Sequence, residues 1–225
     1  MSRPEDARAR VIAIDGPAAS GKSVVGTGVA SALGYRFFDT GAMYRAVTWA
    51  CLQRAIEPTD EERVSDMVER ARIDVAEAPR GSSEPTRVLV DGADATPHLR
   101  DSNVEMTVSI VSRIARVRAV LVRLQRALAA DGRVVMAGRD IGTVVLPDAP
   151  LKVYLDASPG VRAGRRAAQA ADAGIAVDAE MLERRDAIDS TRQDSPLTAA
   201  HDAVIINTDD MPVQDVIDRI VELAR

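Results

Sequence analysis

Only two lysines occur in this chain of 225 residues, Lys22 and Lys152; every other basic residue is arginine. Lys22 sits in Gly16-Pro17-Ala18-Ala19-Ser20-Gly21-Lys22-Ser23, which has the G-x-x-x-x-G-K-[ST] spacing of a phosphate-binding loop. The chemistry needs these residue types. Glycines let successive backbone N–H groups curl around phosphate oxygens, and a helix that follows turns its positive end toward them. A lysine can reach the outer phosphates as a point charge, and a serine hydroxyl can ligate magnesium. Together these point to a nucleoside triphosphate held on this loop.

The flanking elements suit that task. Val11 to Asp15 is an almost unbroken apolar run ending in a carboxylate, as expected for a parallel strand buried on both faces. The spacing predicts a helix from about Lys22 to Leu33, stopped by Gly34. A second short strand is expected over Tyr35–Phe38 and a helix over Met43–Arg54. This alternation is that of an α/β fold with a parallel sheet. The middle of the chain breaks it: a charged helix over Asp60–Ala71 precedes two strands, Ile73–Ala76 and Thr86–Val90, joined by a turn-rich segment. A hairpin does not belong to a βαβ series, so residues 62–100 read as a small insert in a core made of 1–61 and 101–225. One long helix is expected over Arg113–Ala130, then strands over Arg133–Ala137, Leu151–Asp156 and Val204–Ile206. Helices are expected over Pro159–Ala173, Asp178–Ser190 and Pro212–Arg225.

Composition excludes several other classes. The chain is 46% hydrophobic and 28% charged with a net charge of -5, which rules out global disorder. An acidic balance and six aromatics argue against a nucleic-acid partner. No apolar run is long enough to span a bilayer, and the charged first ten residues lack the apolar stretch of a secretory signal, so a cytoplasmic protein is expected. Cys51 is alone, and His98 and His201 are too few for a zinc site. Met43, Trp49 and Cys51 read as packing residues, and the two histidines as surface positions with no evident partner. No Asn-Lys-x-Asp run is present to read guanine, and little beyond Asp156 at a strand end favours an ATPase motor. A small kinase is the expectation.

Further motifs carry a more specific resemblance. Ile14-Asp15-Gly16-Pro17, Asp39-Thr40-Gly41-Ala42-Met43-Tyr44-Arg45, Gly138-Arg139-Asp140-Ile141-Gly142-Thr143-Val144-Val145 and Pro147-Asp148-Ala149-Pro150 resemble the bacterial cytidylate kinase family. The likeness continues through Leu155-Asp156-Ala157-Ser158, Arg185-Asp186, Asp189-Ser190-Thr191-Arg192 and Ser195-Pro196-Leu197, in the family's order. The resemblance implies a P-loop NTPase-type α/β core with a parallel five-stranded sheet, a monophosphate-binding insert at 62–100 and a short lid at about 159–193. It implies CMP and dCMP as acceptors, magnesium-ATP as donor, Ser23 on the metal, and a monomer without nucleic-acid or membrane partners.

The positions matching the family's acceptor site are Thr40, Ser109, Arg118, Arg139, Asp140, Asp189 and Arg192, with Tyr44 and Arg45 beside them. Gly16, Pro17, Ala18, Ala19, Ser20, Gly21, Lys22 and Ser23 would hold ATP; Lys22, Arg139 and Arg185 would act on the transferring group. Arg162, Arg165, Arg166 and Arg185 are candidate lid arginines, each equally readable as part of a solvated helix face. The types make sense: a CMP phosphate carries about two negative charges near neutral pH and needs no general base. Arginine forks can hold it through paired, charge-assisted bonds. Asp15 can reach a magnesium shell or merely hold the loop; Asp39 is either an acceptor-site residue or a plain helix cap. The family commonly has a carboxylate just before Gly-Arg-Asp, where this chain has Ala137. Two further readings stay open: a kinase for UMP or for a sugar- or shikimate-like hydroxyl, and a nucleotide-binding module without turnover.

Overall fold

The structure is a computed structural model that describes residues 9–79, 81–82, 84–173 and 197–225. Its backbone divides into two compact units, residues 1–37 with 131–225, and residues 38–130. The expected insert, 62–100, falls inside the second.

The first unit is built on the phosphate-loop strand. Strand β1 (Val11–Asp15) leads through the loop into helix α1 (Lys22–Leu33), which ends at Gly34 in the left-handed conformation. The five-stranded sheet has the order β2-β6-β1-β7-β8, with β2 at Arg36–Asp39, β6 at Val134–Ala137, β7 at Leu151–Asp156 and β8 at Val204–Asn207. Strand β1 runs parallel to β6 and β7, and β7 to β8. A central strand flanked on both sides must be apolar on both faces, and Ile12, Ala13 and Ile14 are fully buried. Their core continues through Val25, Val29, Phe37, Val135, Val153 and Leu155 to Ile217 and Ile220 of the last helix, Val213–Leu223.

The second unit has its own core. Helix α2 (Thr40–Gln53) packs on a three-stranded antiparallel sheet, β3 (Ile73–Glu77), β4 (Thr86–Val90) and β5 (Ala93–Asp94). Helices α3 (Glu61–Arg70), α4 (Ser102–Val111) and α5 (Ala115–Ala129) complete it around Met43, Val47, Cys51, Val64, Val68, Val88, Leu99, Val108 and Leu121.

Three expectations are corrected. Helix α2 begins at Thr40, not Met43, because Asp39 caps it by accepting the Gly41 N–H at 2.9 Å. The long helix over 113–130 starts only at Ala115, after a separate helix α4 that composition did not suggest. Its β-branched valines are poor helix formers, but Val104, Val108 and Val111 line one face, and burial of that face outweighs propensity. His98 does have partners: its ring stacks on Trp49 with centroids 5.5 Å apart, and Nδ1 lies 3.1 Å from Asp101. The helix expected over 178–190 lies outside the described residues.

Candidate active site

In the first unit, the phosphate loop has the strained backbone its function requires. Gly16 has φ +148°, and a Cβ there would collide with the Leu155 carbonyl on the neighbouring strand, so no larger residue fits. Ala19 also has positive φ, at 58°. Helix α1 starts without a side-chain cap, without an acid in its first turn, and with Lys22 as its first residue. That is an unfavourable start by itself, since the positive helix end gains nothing from a cation. An anion brought from outside corrects it. Lys22 Nζ meanwhile donates to Pro17 O at 2.6 Å and to Ser20 Oγ at 3.4 Å, folded back over its own loop.

A second segment is tied to this loop. After β6, the chain makes a wide turn over Ile141–Val145, whose Val145 and Leu146 amides donate five residues back to Asp140 O and Ile141 O. Such turns are rare and gather at functional sites. Asp15 holds this one: its two carboxylate oxygens accept the Ile141 and Gly142 N–H groups, each at 2.7 Å. In return Arg139 Nη1 donates to Gly16 O at 2.9 Å. The Asp15 pair and the Arg139 bond face opposite ways, so the Gly-Arg-Asp segment and the start of the phosphate loop are clasped together. Of the two roles open to Asp15, the geometry displays the holding one. Asp140 is buried beside it, and Ala137 is buried at the strand end.

Burial pushes the Asp15 carboxyl up to about 6 from its usual 3.8; the Gly142 and Ile141 N–H groups and Lys22 pull it down, while Asp140 adds to the rise. The folded chain thus holds this proton more tightly than the unfolded chain. The stabilisation from Asp15 is fully present below pH 4 and is lost as pH rises to 6. Urea unfolding of the wild type, compared with Asp15→Asn, should show relative stability falling by about 2 kcal/mol between pH 4 and 6.5. A flat difference would mean that the clasp is formed by a carboxyl of ordinary acidity.

Two of the candidate lid arginines, Arg162 and Arg165, are anchored by hydrogen bonds rather than solvated. Arg162 Nη1 donates to Ala18 O of the loop at 3.3 Å and Nε to Ala157 O at 3.1 Å. Arg165 holds Thr208 through its hydroxyl at 2.9 Å and its carbonyl at 2.6 Å. Thr208, which sequence reading passed over, is buried and donates to Asp156 O at 3.1 Å and more weakly to Ser20 O at 3.4 Å. Its signal was an Asn-Thr-Asp turn directly after an apolar strand. Arg166 lies on the same helix, Pro159–Ala173. Arg185, Asp189 and Arg192 lie outside the described residues.

In the second unit, α2, α4 and α5 gather the other predicted residues. Thr40, Tyr44 and Arg45 are buried on α2, Ser109 on α4 and Arg118 in the first turn of α5. The Arg118 guanidinium lies over the Tyr44 ring at 5.6 Å and donates to Ser112 O at 3.4 Å; Ser112 in turn donates to Ser109 O. Arg45 is 4% exposed. Its Nη2 meets Asp39 Oδ2 at 3.4 Å, and its buried Nε has no hydrogen-bond partner. Burial, more than any neighbour, lowers its basicity. A buried guanidinium with one long ion pair and an unsatisfied edge is costly, and an anionic ligand would relieve it. Asp39 is thus the helix cap that one of its two readings expected, and it also pairs with Arg45, which neither reading anticipated.

Sequence reading missed Glu84, Arg100 and Glu105 entirely. Arg100 Nε and Nη2 take the two Glu84 oxygens at 2.5 and 3.4 Å, and Nη1 takes Glu105 at 3.2 Å. No motif announced them; two buried glutamates, at 6% and 9% exposure, became visible only in the fold. Cys51 is buried with its thiol pushed up to about 11, which suits packing and not nucleophilic work. Among the described residues no cluster of His, Cys, Asp and Glu could hold a metal, and no helix is long and apolar enough to cross a membrane.

Comparison with known proteins adds a different kind of observation. A family model described as cytidylate kinase matches residues 12–225. A cytidylate kinase of Mycolicibacterium paratuberculosis is 48% identical over 96% of this chain and 95% of that protein. One of Pelotomaculum thermopropionicum is 44% identical over 93% of each. Among solved structures, a gluconokinase from Sinorhizobium meliloti aligns over 95% of this chain and 93% of that one, with a TM-score of 0.47 and 17% identity.

Proposed function

Because the chain belongs to the cytidylate kinase family, and is therefore a phosphotransferase, we propose that it moves the terminal phosphoryl group of ATP to CMP and dCMP. The observation that carries the reading is that the chain holds two anion sites of different build. One is a phosphate loop whose helix begins with a lysine and no cap; the other is a buried, incompletely satisfied arginine on α2. A polyphosphate suits the first. A compact dianion suits the second.

In this reading Gly16–Ser23 holds ATP through its amides and Lys22. Lys22 leaves Pro17 O for the outer phosphates and spreads charge as the group transfers. The donor set fits magnesium: one hydroxyl, Ser23, with phosphate oxygens and water supplying the rest, as this hard, reluctantly dehydrated cation prefers. Bound there, it would neutralise phosphate charge. Arg45 holds the CMP phosphate, with Thr40 and Tyr44 on the same helix. Arg118 and Arg139 join it on that phosphate through their forks, and Asp140 with Arg139 or Ser109 is suited to cytosine, whose exocyclic amine donates to a carboxylate and whose ring acceptors take N–H and O–H groups. Asp189 and Arg192 would serve the ribose, and Arg185 the transferring group. Residues 62–100 serve as the monophosphate-binding insert, 159–193 as a lid that limits ATP hydrolysis by water. A monomer working in the cytoplasm completes the proposal.

The experiment is ADP release from magnesium-ATP with CMP, dCMP, UMP, AMP and GMP offered separately. Turnover should concentrate on CMP and dCMP; a flat panel, or ATP binding without ADP release, overturns the reading. Arg139→Ala extends the same assay. Its CMP KM should rise some 30-fold or more while ATP affinity moves less than threefold. Equal losses would mean that Arg139 serves the loop through Gly16 O and not the acceptor.

A further inference from the structure

The Arg100 cluster in the second unit poses a charge problem for any anion site built on Arg45. Asp39, Glu84 and Glu105 carry three negative charges where Arg45 and Arg100 carry two positive ones, and all but Arg100 are at most 9% exposed. The groups share one electrostatic environment: the Arg45 guanidinium is weakened by Arg100 and sustained by Asp39, Glu105 and Glu84. The backbone ties them as well. The Asp39 amide donates to the buried Thr86 hydroxyl at 2.8 Å, two residues from Glu84. A dianion approaching Arg45 would meet this surplus of carboxylate in a poorly solvated place, where repulsion between like charges is strong.

Arg100 answers the problem. One guanidinium uses three nitrogens to hold both glutamates, the fork of Glu84 and one oxygen of Glu105. Without it, two buried carboxylates would turn to a cation whose charge they already sustain, Arg45, whose Nε edge has no partner to displace. We propose that Arg100 is a positioning residue that keeps Glu84 and Glu105 off Arg45, so that the Arg45 edge stays available to the phosphate dianion of the acceptor. This rests on the reading of Arg45 as an acceptor-phosphate residue. Arg100 needs no contact with substrate in this scheme; its influence passes through the two glutamates.

The test is a charge-restoration series measured for CMP and ATP. Arg100→Gln keeps hydrogen-bonding reach but removes the charge. It should raise the CMP KM tenfold or more, with kcat at saturating CMP and ATP affinity changed less than threefold. Adding Glu84→Gln and Glu105→Gln should return the CMP KM to within threefold of the wild type, because nothing is left to restrain. Should the single variant fail to fold, the comparison moves to the doubly substituted chain with and without Arg100→Gln, whose CMP KM values should agree within threefold. A tenfold gap between those two chains would show that Arg100 itself touches the acceptor and would overturn the proposal. So would parallel losses in CMP and ATP, the mark of a merely structural role. Wild-type turnover of CMP is measured first; its absence defeats the underlying reading, whereas turnover without charge restoration defeats only the role given to Arg100.

Discussion

Lys22→Ala should lower kcat by about 100- to 1000-fold with every acceptor, the scale of losing one preorganised electrostatic group at a reacting centre. The fold should survive, because Ala is the best helix former and the position opens α1. The variant even removes a cation from the positive end of a helix, and its melting temperature should hold or rise slightly. What disappears is the one charged side chain of the loop, the amine now resting on Pro17 O. Single-turnover ADP formation beside a thermal melt separates the two effects. Lys22→Arg should fail to rescue, since a planar fork cannot enter a loop shaped around a point charge. A variant that keeps more than a tenth of wild-type kcat would remove Lys22 from the chemistry and leave it a structural partner of Pro17.

Arg45→Ala should reduce kcat/KM for CMP by about 30- to 1000-fold, the range of about 2–4 kcal/mol expected when one member of a buried charged contact is deleted. The loss should sit mainly in KM for CMP, with ATP affinity close to the wild-type value. Arg45→Lys tests the geometry. An ammonium keeps the charge but loses the fork and the Nε edge, so most of the defect should persist. Stability changes in a direction that can be forecast separately. Removing Arg45 leaves Asp39 with the Gly41 amide, so the cap on α2 survives while its ion pair does not. Gly41 also lies close under Arg45, where a Cβ would come within 3.0 Å of Nη1. An enzyme whose CMP KM is unmoved by Arg45→Ala would place the acceptor phosphate elsewhere.

Much of this site could be read from the chain because its key parts are local. A buried strand, a glycine-rich turn and a helix lie within 23 consecutive residues, from Val11 to Leu33, and such a unit announces itself by composition and spacing. Arg139 and Asp140 likewise stand in a contiguous motif, which is why they could be named as candidates. The parts that escaped are those made by tertiary pairing. Nothing in Val11–Asp15 says that Asp15 will meet amides 126 and 127 residues away. Arg100 and Glu84 are 16 residues apart across a hairpin, with no period to link them. Helix α4 was invisible because its valines favour strands until α2 offers them a face to cover. Asp39 was the middle case: its type suited a cap, but only the fold shows the same carboxylate serving helix and arginine together.

The strand order has a consequence for how the chain comes into being. Strands β1 and β2 are made within the first 39 residues, yet they are not neighbours; β6, which begins at Val134, lies between them. A chain emerging from the ribosome therefore cannot assemble its parallel sheet until some 95 residues after β2 has been synthesised. Residues 38–130, by contrast, form one contiguous stretch with a complete core of their own. This stretch, which takes in the end of β2, can fold first, while β1 waits with both edges unsatisfied for the strands that flank it. Closing that long interval is the slow, non-local event in assembly, and β1, apolar on both faces, is the segment most exposed to aggregation until it happens.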